Sequence, residues 1–224
     1  MTDIRLDWGR AARTGIPEAV YCAGKSADQV ARILDQVVDH GARMLFTRLT
    51  PEQHVLADPH NRLDYDPVSQ TAVFGSNVNQ TDLGVAVVSA GTSDARVAME
   101  AARTLEFSGV AAPAHQDVGV AGLWRVTDAA AQLQDRKIII AVAGFEAALF
   151  SVLAGLVAAP VIAVPTSVGE GVATGGQAAL SSALASCAPG VVVVNIDNGF
   201  GAACAAIKML NATGHGPASK GENS

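Results

Sequence analysis

The feature that most constrains the fold is a long segment with almost no charge. Residues 138–207 contain only three formally charged side chains, Glu146, Glu170 and Asp197. In and just before this segment, short apolar runs rich in β-branched residues alternate with helical patterns and glycine-containing turns. Such near-continuous apolar strands are typical of a parallel sheet that helices cover on both faces. We therefore predict an α/β fold, a three-layer sandwich with a doubly wound parallel sheet.

The predicted elements begin at residue 84, after a more polar segment. Residues 1–82 hold 8 of the 15 basic and 11 of the 21 acidic residues. We expect an N-terminal extension over 1–82, an α/β domain over 83–211 and a disordered tail over 212–224. Within the α/β domain, the pattern predicts strands at 84–89, 137–143, 160–164 and 191–195 and helices at 95–107, 146–157 and 202–210, with a further helix that ends at Cys187.

Composition argues against several classes of function. A net charge of −6 over 224 residues is unfavourable for a nucleic-acid surface, which needs clustered Lys and Arg. The cysteines Cys22, Cys187 and Cys204 lack the spacing of a disulfide framework or a zinc site. The uncharged run 147–169 is long enough for a membrane span, but its prolines and its change of pattern favour a buried helix followed by a strand. The charged N-terminus is unlike a signal peptide, and we expect a cytoplasmic protein.

The carboxyl ends of the predicted strands combine glycine with hydroxyl or carboxylate groups. They read SAGTSD (89–94), AGFE (143–146), PTSVGEG (165–171) and NIDNGFG (195–201). Ligands of open α/β sheets bind at this edge, and amides at helix N-termini bind phosphate. We predict a ligand that carries phosphate. Asp94 is equally explained as a helix N-cap, and the sequence Asp197-Asn198-Gly199 as a simple turn.

Two residues are candidates for chemistry. Glu146 is either a first-turn acid that the helix dipole favours or a rim carboxylate that burial suits to proton transfer. Cys187, just before a Pro-Gly pair, is either a small buried thiol or a nucleophile that acts as its thiolate. Near the N-terminus, Arg13, Lys25 and Arg48 are either solvated charges or an arm that delivers cations to carboxylate or phosphate groups. The residues alone leave these alternatives open.

The order of motifs resembles one known family. SAGTSD, DVGVAG, AGFEAALFSVLAGL, PVIAVPTSVGEG, SCAPGV and NIDNGFGA occur as they do in the LarB family. These are carboxylases of nickel-pincer cofactor biosynthesis and are related to the purine-pathway mutase PurE. The N-terminal pattern D…R..R.G.PE…GK…Q is similar as well, and the resemblance extends over residues 7–211.

The resemblance implies a reaction, a fold and a site. LarB-like enzymes carboxylate C5 of the pyridinium ring of nicotinic acid adenine dinucleotide with CO2 or bicarbonate. They also hydrolyse its phosphoanhydride with Mg2+, which gives AMP and pyridinium-3,5-biscarboxylic acid mononucleotide.

The fold that the resemblance implies is a PurE-like sandwich in a homo-octamer, and residues 1–82 would supply substrate-binding and oligomer contacts. By motif, Cys187 and Glu146 are catalytic, and substrate binding falls to Ser89, Gly91, Thr92, Ser93, Asp94, Asp117, Gly144, Thr166, Ser167, Gly169, Gly175, Gly176, Asp197, Asn198, Gly199, Arg13, Lys25 and Arg48. No magnesium ligand is assigned.

The implied chemistry is physically reasonable. A thiolate that adds at C4 of a pyridinium ring makes C5 nucleophilic, so that C5 can attack CO2. A base then removes the C5 proton, and loss of the thiolate restores the aromatic cation. Cys187 is the expected nucleophile and Glu146 the expected base.

Several positions depart from the family pattern. Phe145 replaces a methionine, Ala147 a glycine, Phe150 a proline and Glu170 a tyrosine, and Trp124 stands where a histidine is common. Two alternatives follow. One is a PurE-type mutase of an aminoimidazole ribonucleotide, although the catalytic histidine of that family falls at Ala148. The other is a non-catalytic nucleotide-binding protein.

Overall fold

The structure, a computed structural model, describes residues 4–217. The chain divides between Val78 and Asn79 into two compact units. Of the predicted tail, Ala212 is the last residue of the final helix, and residues 218–224 lie outside the described residues.

The first unit is built on a four-stranded mixed sheet. Its elements are α1 (Arg10–Thr14), β1 (Ala19–Tyr21), α2 (Ala27–His40), β2 (Met44–Thr47), α3 (Pro51–Ala57), β3 (Asp64–Asp66) and β4 (Thr71–Phe74). The strand order is β1-β2-β4-β3, and only β1 and β2 run parallel. Capping boxes at Ser26 and Thr50 start α2 and α3. The apolar face of α2, with Val30 and Leu34, packs into a core that contains Phe46.

The second unit holds the predicted parallel sheet. Its elements are β5 (Thr81–Asp82), β6 (Val85–Ser89), α4 (Ala95–Phe107), β7 (Val110–Ala111), β8 (Ala114–His115), α5 (Leu123–Gln132), β9 (Ile138–Ala143), α6 (Leu149–Ala154), β10 (Val161–Pro165), α7 (Gln177–Leu184), β11 (Val191–Val193) and α8 (Gly199–Ala212). The five strands β11-β10-β9-β6-β8 pair in parallel, and β5 pairs with β7 separately. The predicted α/β class with a parallel sheet is confirmed.

The strand order locates the ligand-binding edge of this sheet. The chain passes from β6 outward to β8 and then returns to β9 on the other side of β6. The helix α4, which follows β6, packs against α8 on one face, whereas α5 and α6 pack together in the core of the other face. The loops that leave β6 and β9 therefore turn to opposite faces. In doubly wound sheets this switch point opens a crevice at the carboxyl ends of the strands.

Most predicted elements agree with the structure within a few residues, and α4 agrees at both ends. The helix predicted over 146–157 is wrong in extent, because α6 spans only Leu149–Ala154. The helix predicted to reach Cys187 ends at Leu184. In the first case the helix starts late because Ala147 has a left-handed backbone conformation, with φ 51°, which a helix cannot contain.

No helix of the described residues is long and apolar enough to cross a bilayer. The uncharged run at 147–169 instead contains the whole of α6 and of β10. The proposed buried helix and strand are thus what the structure shows.

Candidate functional site

A crevice of about 240 Å³ lies at the switch point between β6 and β9. Its walls come from four loops, those that leave β6, β9 and β10 and the one that precedes α5. The lining residues are Ala90, Gly91, Ser93, Asp94, Gly119, Val120, Ala121, Ala143, Gly144, Phe145, Glu146, Ala147, Ala148, Leu149 and Val168. Five of the residues predicted to bind or transform a ligand, Gly91, Ser93, Asp94, Gly144 and Glu146, thus meet in one cavity.

Asp94 ties the crevice loops together. It is buried, and its Oδ2 accepts the Gly91 N–H at 3.0 Å while its Oδ1 accepts the Thr166 hydroxyl at 2.7 Å. Burial raises the pKa of Asp94, and hydrogen bonds from Thr166 and from the Gly91 and Gly144 backbones oppose that rise. Asp94 precedes α4 but makes no side-chain capping bond to it. Its carboxylate therefore fixes the geometry of the crevice instead of capping the helix.

Glu146 projects from a strained turn. Its neighbours Phe145 and Ala147 both have left-handed φ angles, which cost non-glycine residues about 1–2 kcal/mol each. Glu146 lies three residues before α6, so its interpretation as a first-turn acid is wrong. It lines the crevice but is exposed in this chain, so the expected burial is not observed.

Gly144 allows the turn before Glu146 to form. A Cβ at Gly144 would lie 2.3 Å from the carbonyl oxygen of Val168 and 2.7 Å from Oγ1 of Thr166. The next residue, Phe145, donates its N–H to the same Val168 carbonyl at 2.8 Å. The loops after β9 and β10 thus approach more closely than a side chain at this position permits.

Asp197 organises a second group of rim residues. Its backbone is left-handed, with φ 56°. Its carboxylate accepts the Ser167 N–H at 2.9 Å and the Ser167 hydroxyl at 2.7 Å, and it pairs with Arg96 at 3.2 Å. The sequence reasoning missed Arg96. The available signal was a cation two residues after SAGTSD, near the start of the helix that leaves the rim.

The next two predicted residues on this rim have structural contacts. Asn198 caps α8 by accepting the Gly201 N–H at 2.8 Å. Gly199 lies against α4, where a Cβ would come within 2.3 Å of the Val97 carbonyl oxygen. These contacts explain both residue types without a ligand.

The other predicted binding residues of the second unit are spread along the same edge. Ser89, at the end of β6, is buried, and its hydroxyl has no hydrogen-bond partner among the described residues. Thr92 is exposed in the turn before α4. The three predicted glycines Gly169, Gly175 and Gly176 lie in the segment between β10 and α7. A Cβ at Gly176 would lie 2.6 Å from the Thr166 carbonyl oxygen, too close for a side chain.

Cys187 does not line the crevice. It lies in the loop between α7 and β11 and is exposed, which excludes the buried-thiol interpretation. The neighbouring Ser186 fixes this loop, since its hydroxyl lies 2.8 Å from that of Ser151 and accepts the Ala188 N–H at 3.2 Å. Cys22, by contrast, is buried in the first unit, and burial raises its pKa to about 12.

Asp117 belongs to a second, larger cavity of about 480 Å³ beside β8 and α5. Its lining residues are His115, Gln116, Asp117, Val118, Trp124, Arg125, Asp128, Ala129 and Gln132. Asp117 has a left-handed φ of 57° and pairs with Arg125 at 2.8 Å. We call this cavity the α5 cleft.

The predicted cations of the N-terminal extension lie in the first unit. Arg13 pairs with Asp7, and Lys25 Nζ donates to the Tyr21 carbonyl at 2.7 Å. Arg48 follows β2 in a left-handed conformation, with φ 56°. Arg13 and Lys25 therefore already have partners within their own unit.

No group of three or more His, Cys, Asp or Glu side chains within residues 4–217 is arranged to hold a metal ion. The rim carboxylates Asp94 and Asp197 are also occupied by hydrogen bonds or ion pairs. These two carboxylates already have partners among the described residues.

The second unit thus belongs to the doubly wound α/β class of folds, with a glycine-lined crevice and an accessible carboxylate at the switch point. Residues 1–76 match the family model described as "LarB/PurE-like N-terminal domain", and residues 84–221 match "AIR carboxylase". The uncharacterized protein MJ0165 of Methanocaldococcus jannaschii is 39% identical over 209 residues, which cover 89% of this chain and 80% of that protein. The chain therefore belongs to the LarB/PurE-like family, with a carboxylase-type domain preceded by the family's N-terminal domain.

Proposed function

We propose that the protein is a LarB-type synthase, which carboxylates C5 of the pyridinium ring of nicotinic acid adenine dinucleotide and hydrolyses the phosphoanhydride. The observation that carries this proposal is the accessible Glu146 carboxylate in the switch-point crevice. The same crevice is lined by Ala148, where the resemblance to the mutases implies a catalytic histidine. An acid–base carboxylate without that histidine supports the LarB-type reaction over the mutase.

Glu146 would act as the base that removes the C5 proton after carboxylation. Its side chain makes no hydrogen bond or ion pair with other described residues, so a carboxylate oxygen is available for a substrate proton. A positioned general base contributes about 10²–10⁴-fold to a rate. The left-handed conformations on both sides persist only where the surrounding structure fixes them, so the backbone at Glu146 is held in a defined conformation.

Cys187 would supply the thiolate that adds to C4 of the ring. Since Cys187 does not line the crevice of its own chain, we propose that a second copy in a homo-oligomer brings this thiol to the ring. Its exposure is compatible with that role. The resemblance implies an octamer, in which neighbouring copies are related by closed symmetry.

Magnesium would bind mainly to the substrate. Mg2+ usually keeps several waters and binds through substrate phosphates with one or two carboxylates. This mode does not require a preformed cluster of three or more ligating side chains, and the described residues contain no such cluster. The ion would supply charge neutralisation at the pyrophosphate, while the chain's own rim amides and hydroxyls orient the phosphates and ribose.

The deciding experiment is mass spectrometry of products from the full chain with nicotinic acid adenine dinucleotide, bicarbonate and Mg2+. We expect a product that carries an added carboxylate, together with released AMP. Glu146→Gln should lower turnover by about 10²-fold or more, and Cys187→Ala should abolish carboxylation. Glu170→Gln and Cys204→Ala are matched controls outside the crevice and should retain turnover.

A mixing experiment separates the roles of the two copies. If each site combines Glu146 of one chain with Cys187 of another, randomly mixed Glu146→Gln and Cys187→Ala subunits should regain about a quarter of wild-type turnover. No recovery would overturn the shared site. An intact dinucleotide with wild-type protein would overturn the synthase itself, and conversion of aminoimidazole ribonucleotide would then identify a mutase.

A further inference from the structure

The α5 cleft and the switch-point crevice are built on one loop. Gly119, Val120 and Ala121 line the crevice. Residues on both sides of them, including Val118 and Trp124, line the α5 cleft. The loop 117–124 thus contributes to the walls of both cavities.

The loop between the two cavities is held in a defined conformation. Asp117 is in the left-handed region, with φ 57°, which persists only where the surroundings fix it. Arg125 fixes its carboxylate at 2.8 Å, and the next residue, Val118, donates its N–H to the Ser89 carbonyl at 2.9 Å. The cleft is thus tied directly to the end of β6.

Trp124 gives the cleft a flat aromatic wall. It lies in the first turn of α5, and 65% of its surface is exposed. The Arg125 guanidinium lies 5.5 Å from the centre of the indole ring, a cation–π distance. An exposed indole beside a guanidinium is a platform on which nucleobases stack.

The volumes of the two cavities also favour a ligand whose two halves bind in different cavities. The crevice has about 240 Å³, below the roughly 300–1,000 Å³ of pockets that enclose drug-sized ligands. The α5 cleft adds about 480 Å³ and carries polar side chains, among them Gln116, Asp128 and Gln132, that can hydrogen-bond to a base edge. A dinucleotide fits this pair of cavities better than it fits the crevice alone.

We propose that the α5 cleft binds the purine nucleotide half of the substrate, with the base stacked on Trp124. This inference rests on the proposed function, which supplies a substrate with an adenine nucleotide at one end. The pyridinium half would occupy the crevice beside Glu146, and the connecting phosphates would follow the loop 117–122.

The test is calorimetric titration of the full chain with AMP and, separately, with nicotinic acid mononucleotide. Trp124→Ala should weaken AMP binding roughly 5- to 150-fold, the range for loss of one stacked base, and Trp124→Phe should restore most of it. Leu123→Ala is the matched control, because Leu123 is an exposed neighbour (59%) that does not line the cleft. Mononucleotide binding should be unchanged in all three variants.

The outcomes separate this inference from the proposed reaction. Equal AMP affinity in wild type and Trp124→Ala, or no AMP binding by wild type, overturns the inference even if the carboxylated product forms. AMP binding that depends on Trp124 supports it even if no carboxylation occurs. Unchanged unfolding midpoints by circular dichroism establish that the variants are folded.

Discussion

Replacing Gly144 by alanine tests whether the crevice depends on the close approach of the loops after β9 and β10. The added Cβ would lie 2.3 Å from the Val168 carbonyl oxygen. That atom belongs to the backbone and cannot rotate away. Its displacement would also break the hydrogen bond that it accepts from Phe145 at 2.8 Å. The Thr166 hydroxyl, at 2.7 Å from the added Cβ, would be pushed from its bond to Asp94.

These contacts set the magnitude. Overpacking of this kind costs about 1–3 kcal/mol, and the loss of one backbone hydrogen bond adds about 1 kcal/mol. We expect Gly144→Ala to lower the free energy of unfolding by about 2–4 kcal/mol. For a chain of this size, that corresponds to a fall of about 4–16 °C in Tm.

Gly91→Ala is the matched control for Gly144→Ala. Gly91 lines the same crevice, but a Cβ there would meet only Asp94 Oδ2, at 3.7 Å, so we expect a change within about 0.5 kcal/mol. Urea unfolding followed by the fluorescence of Trp124, in a Trp8→Phe background, reports on the second unit. Equal losses in the two variants, or a loss below about 1 kcal/mol in Gly144→Ala, would refute the close-approach argument.

Two further predictions concern titratable groups. Burial raises the pKa of Asp94 in the folded chain above its ordinary 3.8, so its contribution to stability is fully present below that value and is lost as pH rises through the folded pKa. The free energy of unfolding of the wild type, relative to that of Asp94→Asn, should therefore fall between about pH 3.5 and pH 7. A difference in urea unfolding that does not change with pH would contradict this prediction. With a thiol reagent such as DTNB, the exposed Cys187 should react fast in the native protein, whereas Cys22, whose pKa burial raises to about 12, should react only on unfolding. A fast phase that survives in Cys187→Ser but disappears in Cys22→Ser would reverse that assignment.

The sheet was predictable from the sequence because its strands are buried on both faces. Apolar runs such as VAVVS in β6 and IIIAVA in β9 have no polar alternation and no other stable place in a small domain. The start of α6 was not predictable in the same way. The residues EAAL favour a helix, but the approach of the loop at Val168 to Gly144 imposes left-handed conformations before Leu149.

The candidate site was predictable only where it follows strand ends. Asp94, Gly144 and Glu146 were expected at the rim because each closely follows a strand of the sheet, and all three line the crevice. Other contacts join residues that are distant in the chain, as in the pair of Arg96 with Asp197. No local pattern encodes such a pair. For the same reason, the sequence does not indicate that Cys187 lies outside the crevice of its own chain.

Position 147 links the strain at the crevice to the proposed chemistry. The family resemblance implies glycine there, and the left-handed φ of 51° explains that preference, since glycine adopts this region at little cost. This chain keeps the conformation with alanine, and Phe145 repeats it two residues earlier with φ 52°. The fold thus bears strain at both neighbours of a side chain that has no partner among the described residues. A base that is to meet a proton only when substrate is present needs an available carboxylate oxygen, and a fixed left-handed backbone on both sides orients Glu146 without using either oxygen.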